Sequence, residues 1–508
     1  MRSVAVGTSC RTLLALLLLS SCAWATPNAD DDLLAAGRLA LRHGDFKAAA
    51  ANFQGMVDSN PSAEAYAGLV QSLLKQDDVK NAEQKSQLAV NAFPAAATAH
   101  AARADVLFRR GLLAEAADEY QAALKLDAKC ARALLGSGKI EEARAERSRA
   151  REDVARAHEL DSDDGDALYE WAIRQKYPNN VAGMEKHLAE FRNDPEVERH
   201  EREYLELLKA LAGRDVWVLK PEVKAAEMKL ETLTLGPGLD RRGFGLRVTF
   251  NDRASATLML DTGASGVTIT RKFADKIGAK KLSDQIMQGV GKGGTPAYQA
   301  WVDKVAVGDL QFHDCFVHVV PRTVADVDGL IGTDVFVQFL VTVDFPARKL
   351  VLAELPATAA LEKDKDKDNY KEGAAAAEFS PTYSFGHILL LPGKAGEKAS
   401  GLFVLDSGSN VSSISNELSH LINQMRALNV RASGVGGSSN TAFVASDVTI
   451  QFAGSRRRDQ HLITVDLHTV SKNLGTEISG QIGFATLETL KLLINYRDGL
   501  VKVEEKSK

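Results

Sequence analysis

The chain of 508 residues contains only four cysteines, and neither sign of charge predominates. Four cysteines are too few for the disulfide framework of small secreted domains, so the fold must depend on packed apolar cores. Cys130 and Cys315 belong to different predicted domains and are not expected to pair. A formal net charge of −5 provides no basic surface, which argues against a nucleic-acid partner. A chain of this length is expected to fold as roughly three or four domains.

Long apolar stretches are also rare. The run at residues 13–19 is too short to span a bilayer as a helix, and it follows Arg2 and Arg11. A basic start followed by a short apolar segment is typical of an export signal. We therefore predict an export signal over residues 1–25 and a location in the bacterial periplasm or outside the cell.

Two processing sites overlap at the end of this signal. Residues 23–25, Ala-Trp-Ala, fit the small-x-small pattern of an ordinary signal peptidase. Residues 19–22, Leu-Ser-Ser-Cys, resemble a bacterial lipobox, in which Cys22 would be lipidated and would anchor the protein to a membrane. The sequence leaves both alternatives open.

Residues 28–213 form the first predicted domain, which is rich in alanine and helical in pattern. Pro61, Pro94 and the equivalent Ala128 recur at a nearly constant spacing. This spacing resembles that of the tetratricopeptide repeat, a helix pair of about 34 residues in which small side chains allow close packing. Residues 131–164 are interpreted as a longer, degenerate fourth copy. The alternative is a helical bundle that merely supports the rest of the chain.

At about residue 229 the pattern changes to the alternation of β-strands. Residues 245–250 and 255–260 are predicted to be strands joined by a turn at 251–252. The charged run at 362–368 has no apolar residue, and the segment 358–377 that contains it is predicted to be a solvated linker. It divides two β lobes of similar size, at 229–357 and 378–505.

The two predicted lobes carry the same short motif after an apolar strand. Asp261-Thr262-Gly263 begins the motif in lobe 1, and Asp406-Ser407-Gly408 begins it in lobe 2. One such tripeptide is a weak signal, but its surroundings repeat in register. The sequence Gly-Val-Gly follows each aspartate at the same offset, as Gly289-Val290-Gly291 and as Gly434-Val435-Gly436 (289 − 261 equals 434 − 406).

Further matches extend the repeat. Tyr298 and Phe443 also follow their aspartates at equal offsets (298 − 261 equals 443 − 406), and a later Ile-Gly pair occurs in each lobe, in Leu330-Ile331-Gly332 and Gln481-Ile482-Gly483. Two homologous units therefore each provide one carboxylate from a glycine turn. This arrangement predicts a pair of acids that face each other across a pseudo-twofold axis.

A pair of close carboxyl groups has a well-defined chemistry. Because two like charges a few ångströms apart are unfavourable, the pair holds one shared proton. One group then accepts a proton from water while the other donates a proton to a carbonyl oxygen or an amine. The hydroxyls of Thr262 and Ser407 are expected to bridge to backbone amides across the axis and to hold the two carboxylates in place.

These motifs resemble those of the pepsin-like and retropepsin-like aspartic proteases, with two retropepsin-type lobes in tandem. The resemblance implies a multidomain fold of α plus all-β type: an N-terminal tetratricopeptide-like solenoid followed by a bilobal β aspartic-protease (double acid-protease barrel) fold. It implies a catalytic dyad of Asp261 and Asp406. It also implies support from Thr262, Gly263, Ser407, Gly408 and Ser409, and substrate-binding flaps at Gly289, Val290, Gly291, Tyr298, Gly434, Val435, Gly436 and Phe443.

The chain departs from the family pattern at several positions. The third residue after the aspartate is Ala264 in lobe 1 and Ser409 in lobe 2. Since the Ser409 hydroxyl would favour a charged Asp406, we expect Asp406 to be the more acidic partner. Gln481 replaces the usual apolar residue of the second motif. Phe443 lacks the hydroxyl that Tyr298 carries.

No metal or cofactor is implied by the sequence. His313, Cys315 and His318 share one predicted strand, but alternation places His318 on the opposite face from the other two, so they are interpreted as residues of a half-buried strand.

The sequence thus predicts an exported aspartic endopeptidase that acts on a peptide or protein substrate and is monomeric for catalysis. Its repeats are expected to recruit a protein partner on a concave face. One alternative is an envelope protein that binds peptides or proteins without cleaving them. Another is a self-processing enzyme that is cut within residues 362–378.

Overall fold

The computed structural model describes residues 29–234, 242–288, 294–323, 327–356, 378–422, 425–428, 432–434, 437–439 and 442–505. The predicted export signal with Cys22 and the predicted linker at 358–377 lie outside these residues. A helical region comes first in the described chain, and a β-rich region follows.

Eleven helices make up the described helical region. They are α1 (Ala29–Arg42), α2 (Phe46–Ser59), α3 (Ala63–Lys75), α4 (Val79–Ala92), α5 (Ala97–Arg109), α6 (Leu113–Leu126), α7 (Ala131–Ala143), α8 (Arg147–Leu160), α9 (Gly165–Ile173), α10 (Asn179–Glu190) and α11 (Pro195–Leu211). None of the helices in the described part of the chain is both long and apolar enough to cross a membrane.

The helical repeat is more regular than the sequence predicts. Helices α3, α5, α7 and α9 begin at positions 63, 97, 131 and 165. These starts are evenly spaced, at the period of about 34 residues that is typical of the tetratricopeptide repeat. The hairpin of α7 and α8 therefore has the ordinary repeat length, and the prediction that this copy is longer is wrong. Helix α8 contains few apolar residues, which weakens the sequence signal of this copy.

Small residues explain why the helices pack so closely. One alanine in the second helix of each of the first four hairpins is fully buried, namely Ala49, Ala82, Ala116 and Ala150. Gly136 faces the ring of Tyr120 so closely that an added Cβ would lie 2.0 Å from it. Any larger residue at Gly136 would displace this buried aromatic ring.

Lobe 1 is built on a nine-stranded sheet, in which β3 pairs with β4 beside the path β1-β9-β6-β10-β5-β4-β8-β7. Its strands are β1 (Val218–Leu219), β3 (Glu231–Thr234), β4 (Arg242–Phe250), β5 (Ala254–Asp261), β6 (Val267–Thr270), β7 (Lys280–Gln288), β8 (Gly294–Val307), β9 (Leu310–Val320) and β10 (Gly329–Gly332). A short helix, α12 (Arg271–Ile277), follows β6.

Lobe 2 contains a ten-stranded sheet with the path β18-β21-β24-β17-β25-β16-β15-β22-β23, in which β14 pairs with β15, and a separate hairpin of β19 and β20. Its strands are β14 (Tyr383–Phe385), β15 (Ile388–Ala395), β16 (Ala399–Asp406), β17 (Ser413–Ser415), β18 (Arg426–Leu428), β19 (Ala432–Gly434), β20 (Gly437–Ser439), β21 (Ala442–Ala445), β22 (Val448–Phe452), β23 (Ser455–Asp459), β24 (Leu462–Val465) and β25 (Gly480–Gly483). Helices α13 (His468–Leu474) and α14 (Phe484–Leu487) flank β25.

A six-stranded sheet joins the two lobes in the order β13-β27-β26-β11-β12-β2. Its strands are β2 (Ala226–Lys229), β11 (Phe339–Asp344), β12 (Lys349–Glu354), β13 (Ser380–Pro381), β26 (Leu490–Asn495) and β27 (Leu500–Glu505). Strands β11 and β26 pair at its centre, Val341 opposite Ile494. Each lobe contributes three strands in mirrored order, which is the pseudo-twofold relation that the repeated motifs predict.

The helical region packs directly against lobe 2. Phe108, Leu113 and Tyr120 share one apolar core with strand residues of lobe 2: Leu390, Leu402, Val404 and Val465. The Phe108 and Phe385 rings meet edge to face at 6.1 Å between centroids. Because this core is continuous, the helical region and lobe 2 stabilise each other.

The contact follows the turns inside the repeats. The first four helical hairpins each turn at a residue with left-handed backbone, Gly44, Asp77, Gly111 and Ala145. The last three of these turns meet lobe 2: Asp77 lies 2.9 Å from the His468 ring, and Ala145 packs beside Gly499. At Gly111 an added Cβ would lie 2.6 Å from the carbonyl oxygen of Glu477, so only glycine allows this approach.

Candidate active site

The two predicted catalytic aspartates occupy equivalent places in the two sheets. Strand β5 ends at Asp261 and pairs in parallel with β10, so that Asp261 lies opposite Gly332. Strand β16 ends at Asp406 and pairs in parallel with β25, so that Asp406 lies opposite Gly483. In each lobe the strand of the second motif is inserted between the strands before and after the aspartate turn.

Four hydrogen bonds connect the two aspartate turns. The Thr262 hydroxyl donates to the carbonyl oxygen of Leu405 at 2.8 Å and accepts from the Ser407 amide at 2.9 Å. The Ser407 hydroxyl donates to the carbonyl oxygen of Leu260 at 3.0 Å and accepts from the Thr262 amide at 3.1 Å. Both hydroxyls are buried, and they make the cross-axis bonds that the sequence predicts.

This connection brings the two carboxyl groups together. A Cβ added to Gly408 would lie 2.3 Å from the Asp261 carboxylate, and one added to Gly263 would lie 3.1 Å from that of Asp406. Each acid therefore lies over the glycine of the opposite turn, and the two carboxyl groups are within hydrogen-bonding reach of each other. Any side chain at either glycine would fill the space that a carboxylate occupies.

Backbone amides hold one oxygen of each carboxylate. The Gly263 amide donates to Asp261 Oδ1 at 2.8 Å. The amides of Gly408 and Ser409 donate to Asp406 Oδ1 at 3.1 and 2.9 Å. The sequence led us to expect a bond from the Ser409 hydroxyl to this carboxylate, but that hydroxyl donates to the carbonyl oxygen of Val411 instead.

The electrostatics of the pair also differ from the prediction. Burial raises the pKa of Asp261 above its usual value. Burial and then the charge of Asp261 raise the pKa of Asp406 to about 7. The Ser409 hydroxyl, on which the expectation of a more acidic Asp406 depended, is directed elsewhere, so this contact does not support that expectation. A carboxyl whose pKa is near neutrality holds the shared proton over a wide pH range.

Gln481 is a site residue whose role the sequence did not reveal. Its side-chain amide donates to Asp406 Oδ2 at 2.8 Å, and its carbonyl oxygen accepts from the Ser413 hydroxyl at 3.0 Å. The departure from an apolar residue in the second motif was the available signal.

One histidine lies beside the aspartate turn of lobe 1, and a second histidine lies close enough to interact with the first. His387 has the backbone of Gly263 as a hydrogen-bond partner, but burial dominates and lowers its pKa to about 4. Burial, together with repulsion by a charged His387, lowers the pKa of His318 to about 4. The Gln285 amide lies 2.8 Å from His318 Nδ1. No sequence motif marks His387.

The predicted flaps are described only in part. Gly289, Val290, Gly291, Val435 and Gly436 lie outside the described residues, while Gly434 ends β19 opposite Gly437 of β20. Tyr298 on β8 packs against the lobe core, and the cations of Arg271 and Lys281 each lie 5.8 Å from the centre of its ring. Phe443 on β21 is 40% exposed. In the described structure, neither Tyr298 nor Phe443 hydrogen-bonds to an aspartate.

The flap strand β7 touches the helical region. The Glu203 carboxylate of α11 accepts a hydrogen bond from the Ile286 amide at 3.1 Å. Gln288 at the end of β7 hydrogen-bonds to Asn473 of α13 in lobe 2.

The described part of the chain contains no cluster of three or more His, Cys, Asp or Glu side chains that could hold a metal ion. Cys315 is buried in the core of lobe 1, on the same face of β9 as the equally buried Val317. Cys130 is a buried free thiol in the helical region.

Comparisons with known protein families agree with this architecture. The model of the aspartyl protease family matches residues 246–335, and that of the tetratricopeptide repeat matches residues 34–97 and 85–129. The chain thus contains an aspartyl protease domain that includes Asp261, preceded by tetratricopeptide repeats. Asp406 lies beyond the matched segment. No curated protein matches the chain.

Solved structures resemble parts of the chain. A tetratricopeptide repeat protein of Thermus thermophilus is 20% identical, with a TM-score of 0.26, over 32% of this chain and 91% of that protein. Conglutin gamma from lupine seeds is 7% identical, with a TM-score of 0.35, over 56% and 96%. A Thermobaculum terrenum O-GlcNAc transferase is 21% identical, with a TM-score of 0.21, over 30% and 27%. At these TM-scores the similarities do not bear on activity.

Proposed function

We propose that this protein is an exported aspartic endopeptidase whose catalytic dyad is Asp261 and Asp406. The observation that carries the proposal is the set of four hydrogen bonds between the two aspartate turns, which keeps both carboxyl groups within reach of each other. The match of residues 246–335 to aspartyl proteases supports a hydrolase that acts on peptides.

The chemistry follows from one shared proton. The ionised carboxylate takes a proton from a water molecule as that water attacks the carbonyl carbon of the peptide bond. The protonated carboxyl gives its proton to the carbonyl oxygen, so that charge does not accumulate on the substrate. One acid of the pair is the proton donor in this scheme and the other is the base, and the raised pKa of Asp406 favours Asp406 as the donor. Both acids come from one chain, so a monomer is sufficient for catalysis.

Cleavage tests this proposal directly. Full-length protein incubated with casein or a peptide pool from acidic to neutral pH should cleave it, and pepstatin should block cleavage. Asp261→Ala and Asp406→Asn should each abolish it. Asp459→Asn is the matched control, because Asp459 is a buried lobe 2 carboxylate that bonds to Thr486 and not to the dyad. Peptide binding without cleavage, unchanged by the dyad substitutions, would contradict the proposal.

The repeats are proposed to recruit a protein, since tetratricopeptide repeats are protein-interaction modules. The hairpin turns at Asp77, Gly111 and Ala145 already contact lobe 2. The proposed partner surface is therefore the helix face directed away from those turns. This recruitment is tested by measuring the binding of peptide libraries to the Asp406→Asn variant.

Export is proposed from residues 1–25 alone. Cell fractionation should recover the protein outside the cytoplasm. Labelled fatty acid should be incorporated into the wild type and lost in Cys22→Ala if the lipobox is used, whereas cleavage after Ala25 would leave the protein unlabelled.

A further inference from the structure

Gln481 differs in kind from the residue at the same place in lobe 1. It lies two residues before Gly483, which is opposite Asp406, and Leu330 lies two residues before Gly332, which is opposite Asp261. Leu330 has no polar side-chain atom. Asp406 thus has a side-chain donor from the neighbouring strand, and Asp261 has no counterpart from Leu330.

The contact is well defined geometrically. Gln481 and Ser413 are 9% and 1% exposed, on the adjacent strands β25 and β17. Because the Ser413 hydroxyl donates to the Gln481 carbonyl oxygen, the NH₂ end of the amide is directed at Asp406 Oδ2. The other oxygen, Oδ1, is held by the Gly408 and Ser409 amides, so the orientation of the whole carboxyl group is fixed.

We infer that Gln481, backed by Ser413, is a positioning residue that orients the Asp406 carboxyl group and makes the two acids chemically unequal. The inference rests on the proposed function, because it concerns the orientation of the proposed dyad. An amide N–H favours the ionised form of its carboxylate. Gln481 therefore lowers the pH at which Asp406 gives up its proton, and Asp261 receives no such help from Leu330.

Other ionisable groups around Asp406 are few in the described structure. Asp261 faces it across the axis. His387 lies against Gly263 of the opposite turn, and Asp334 lies behind that turn, where it accepts from the Gly266 amide. None of these groups donates to Asp406 Oδ2 as Gln481 does.

The test compares Gln481→Leu, which installs the lobe 1 residue, with the wild type. Removing the donor makes ionisation of Asp406 harder, so the alkaline-side limb of the cleavage profile should move up by about one pH unit. The kcat should fall about tenfold while KM changes less than about twofold, because orientation is lost and substrate binding is kept. Ser413→Ala should move the alkaline-side limb in the same direction as Gln481→Leu, but by a smaller amount.

Gln299→Leu is the matched control. Gln299 is 8% exposed and accepts from the Ser283 hydroxyl at 2.6 Å, so it is the same buried Ser–Gln pair without a contact to either acid in the described structure. Its profile should stay at the wild-type pH. Three results would overturn the inference. They are an alkaline-side limb that does not move in Gln481→Leu, a shift of its acid-side limb alone, and an equal shift of the alkaline-side limb in Gln299→Leu.

A second measurement does not require cleavage. The melting temperature of the wild type minus that of Asp406→Asn, followed from pH 4 to 9, reports the ionisation of Asp406 in the folded protein. This difference curve should move to higher pH when Gln481→Leu is present in both proteins. If the wild type cleaves no peptide but the curve is displaced, the proposed activity is contradicted and the inference about Gln481 stands. If the curve is not displaced, the inference is contradicted.

Discussion

The two lobes share a backbone but differ in how each supports its aspartate turn. In lobe 1 a half-buried carboxylate, Asp334, accepts from the Gly266 amide behind the turn. The equivalent residue of lobe 2, two after the motif glycine, is Ala485, which is exposed. Lobe 2 instead uses uncharged groups, such as the Gln481 amide on Asp406. The duplicated fold thus fixes where the acids lie, while the residues behind them have diverged.

The lobes differ also in what covers them. Four residues before each aspartate, lobe 1 has Thr257, which is half-buried and donates to Glu231, and lobe 2 has Leu402, which is 3% exposed beneath the helices. Strand β16 of lobe 2 therefore forms part of an interface, whereas the equivalent strand of lobe 1 keeps a polar position.

The largest effect is expected at this covered position. Leu402→Asn should lower the free energy of unfolding by about 4 kcal/mol, because it leaves a cavity and buries an amide without partners. Thr257→Asn should change it by less than about 1 kcal/mol. Chemical denaturation of both full-length variants provides the measurement. Equal losses would contradict the difference in cover.

The cross-axis hydrogen bonds should respond equally from either side. Thr262→Val and Ser407→Ala each remove a hydroxyl that makes two buried hydrogen bonds, so each should cost about 3 kcal/mol of unfolding free energy. Thr342→Val, at a buried threonine of β11, is the control and should cost far less. A large difference between Thr262→Val and Ser407→Ala would show that the lobes hold the connection unequally.

Asp334 should make lobe 1 sensitive to pH. Burial raises its pKa to about 6, above the value near 3.8 expected when unfolded. A raised carboxyl pKa contributes stability that is full below pH 3.8 and is lost as the pH rises through 6. Asp334→Asn should therefore be more stable than the wild type at pH 7.5, by up to about 3 kcal/mol, with little difference at pH 4. Ala485→Asn in lobe 2 should show no such pH-dependent gain in melting temperature.

The smallest effect concerns the paired histidines, one from each lobe. The pKa values of His318 and His387 are lowered to about 4, so their contribution to stability is full above pH 6.5 and is lost as the pH falls through 4. His387→Gln should move the midpoint of acid unfolding down by roughly 0.3 pH units. His461 is exposed, so His461→Gln should leave the midpoint of acid unfolding unchanged. A shift of the same size in His461→Gln would refute the attribution of this stability loss to the buried histidines.

The sequence predicted those features that repeat. Matched spacing predicts three features, because two copies of one unit pair in only a few ways. These features are the strand before each aspartate, the inserted strand of the second motif, and the cross-axis hydrogen bonds of Thr262 and Ser407. The repeat helices were recognisable for the same reason, although the low hydrophobicity of α8 weakened the signal of the fourth copy, whose length was mispredicted.

Features that depend on a single copy were not predictable. The direction of the Ser409 hydroxyl is decided by the nearby Val411 carbonyl, and the contact of Gln481 by a strand pairing 75 residues along the chain from Asp406. The packing of helices on lobe 2 has no sequence period, since it joins surfaces that are far apart in the chain. Such contacts follow from tertiary structure and not from local pattern.

The continuous core beneath lobe 2 has a consequence for control of the site. Leu402 lies on the strand that ends at Asp406. The segment that leads into β25 is bonded to α5 twice: the Glu477 amide donates to the Arg109 carbonyl oxygen, and the Thr476 hydroxyl donates to the Phe108 carbonyl oxygen. Displacement of α5 is therefore expected to disturb the strand that bears Asp406 before the strand that bears Asp261, because the described repeat helices share an apolar core with β16 and not with β5.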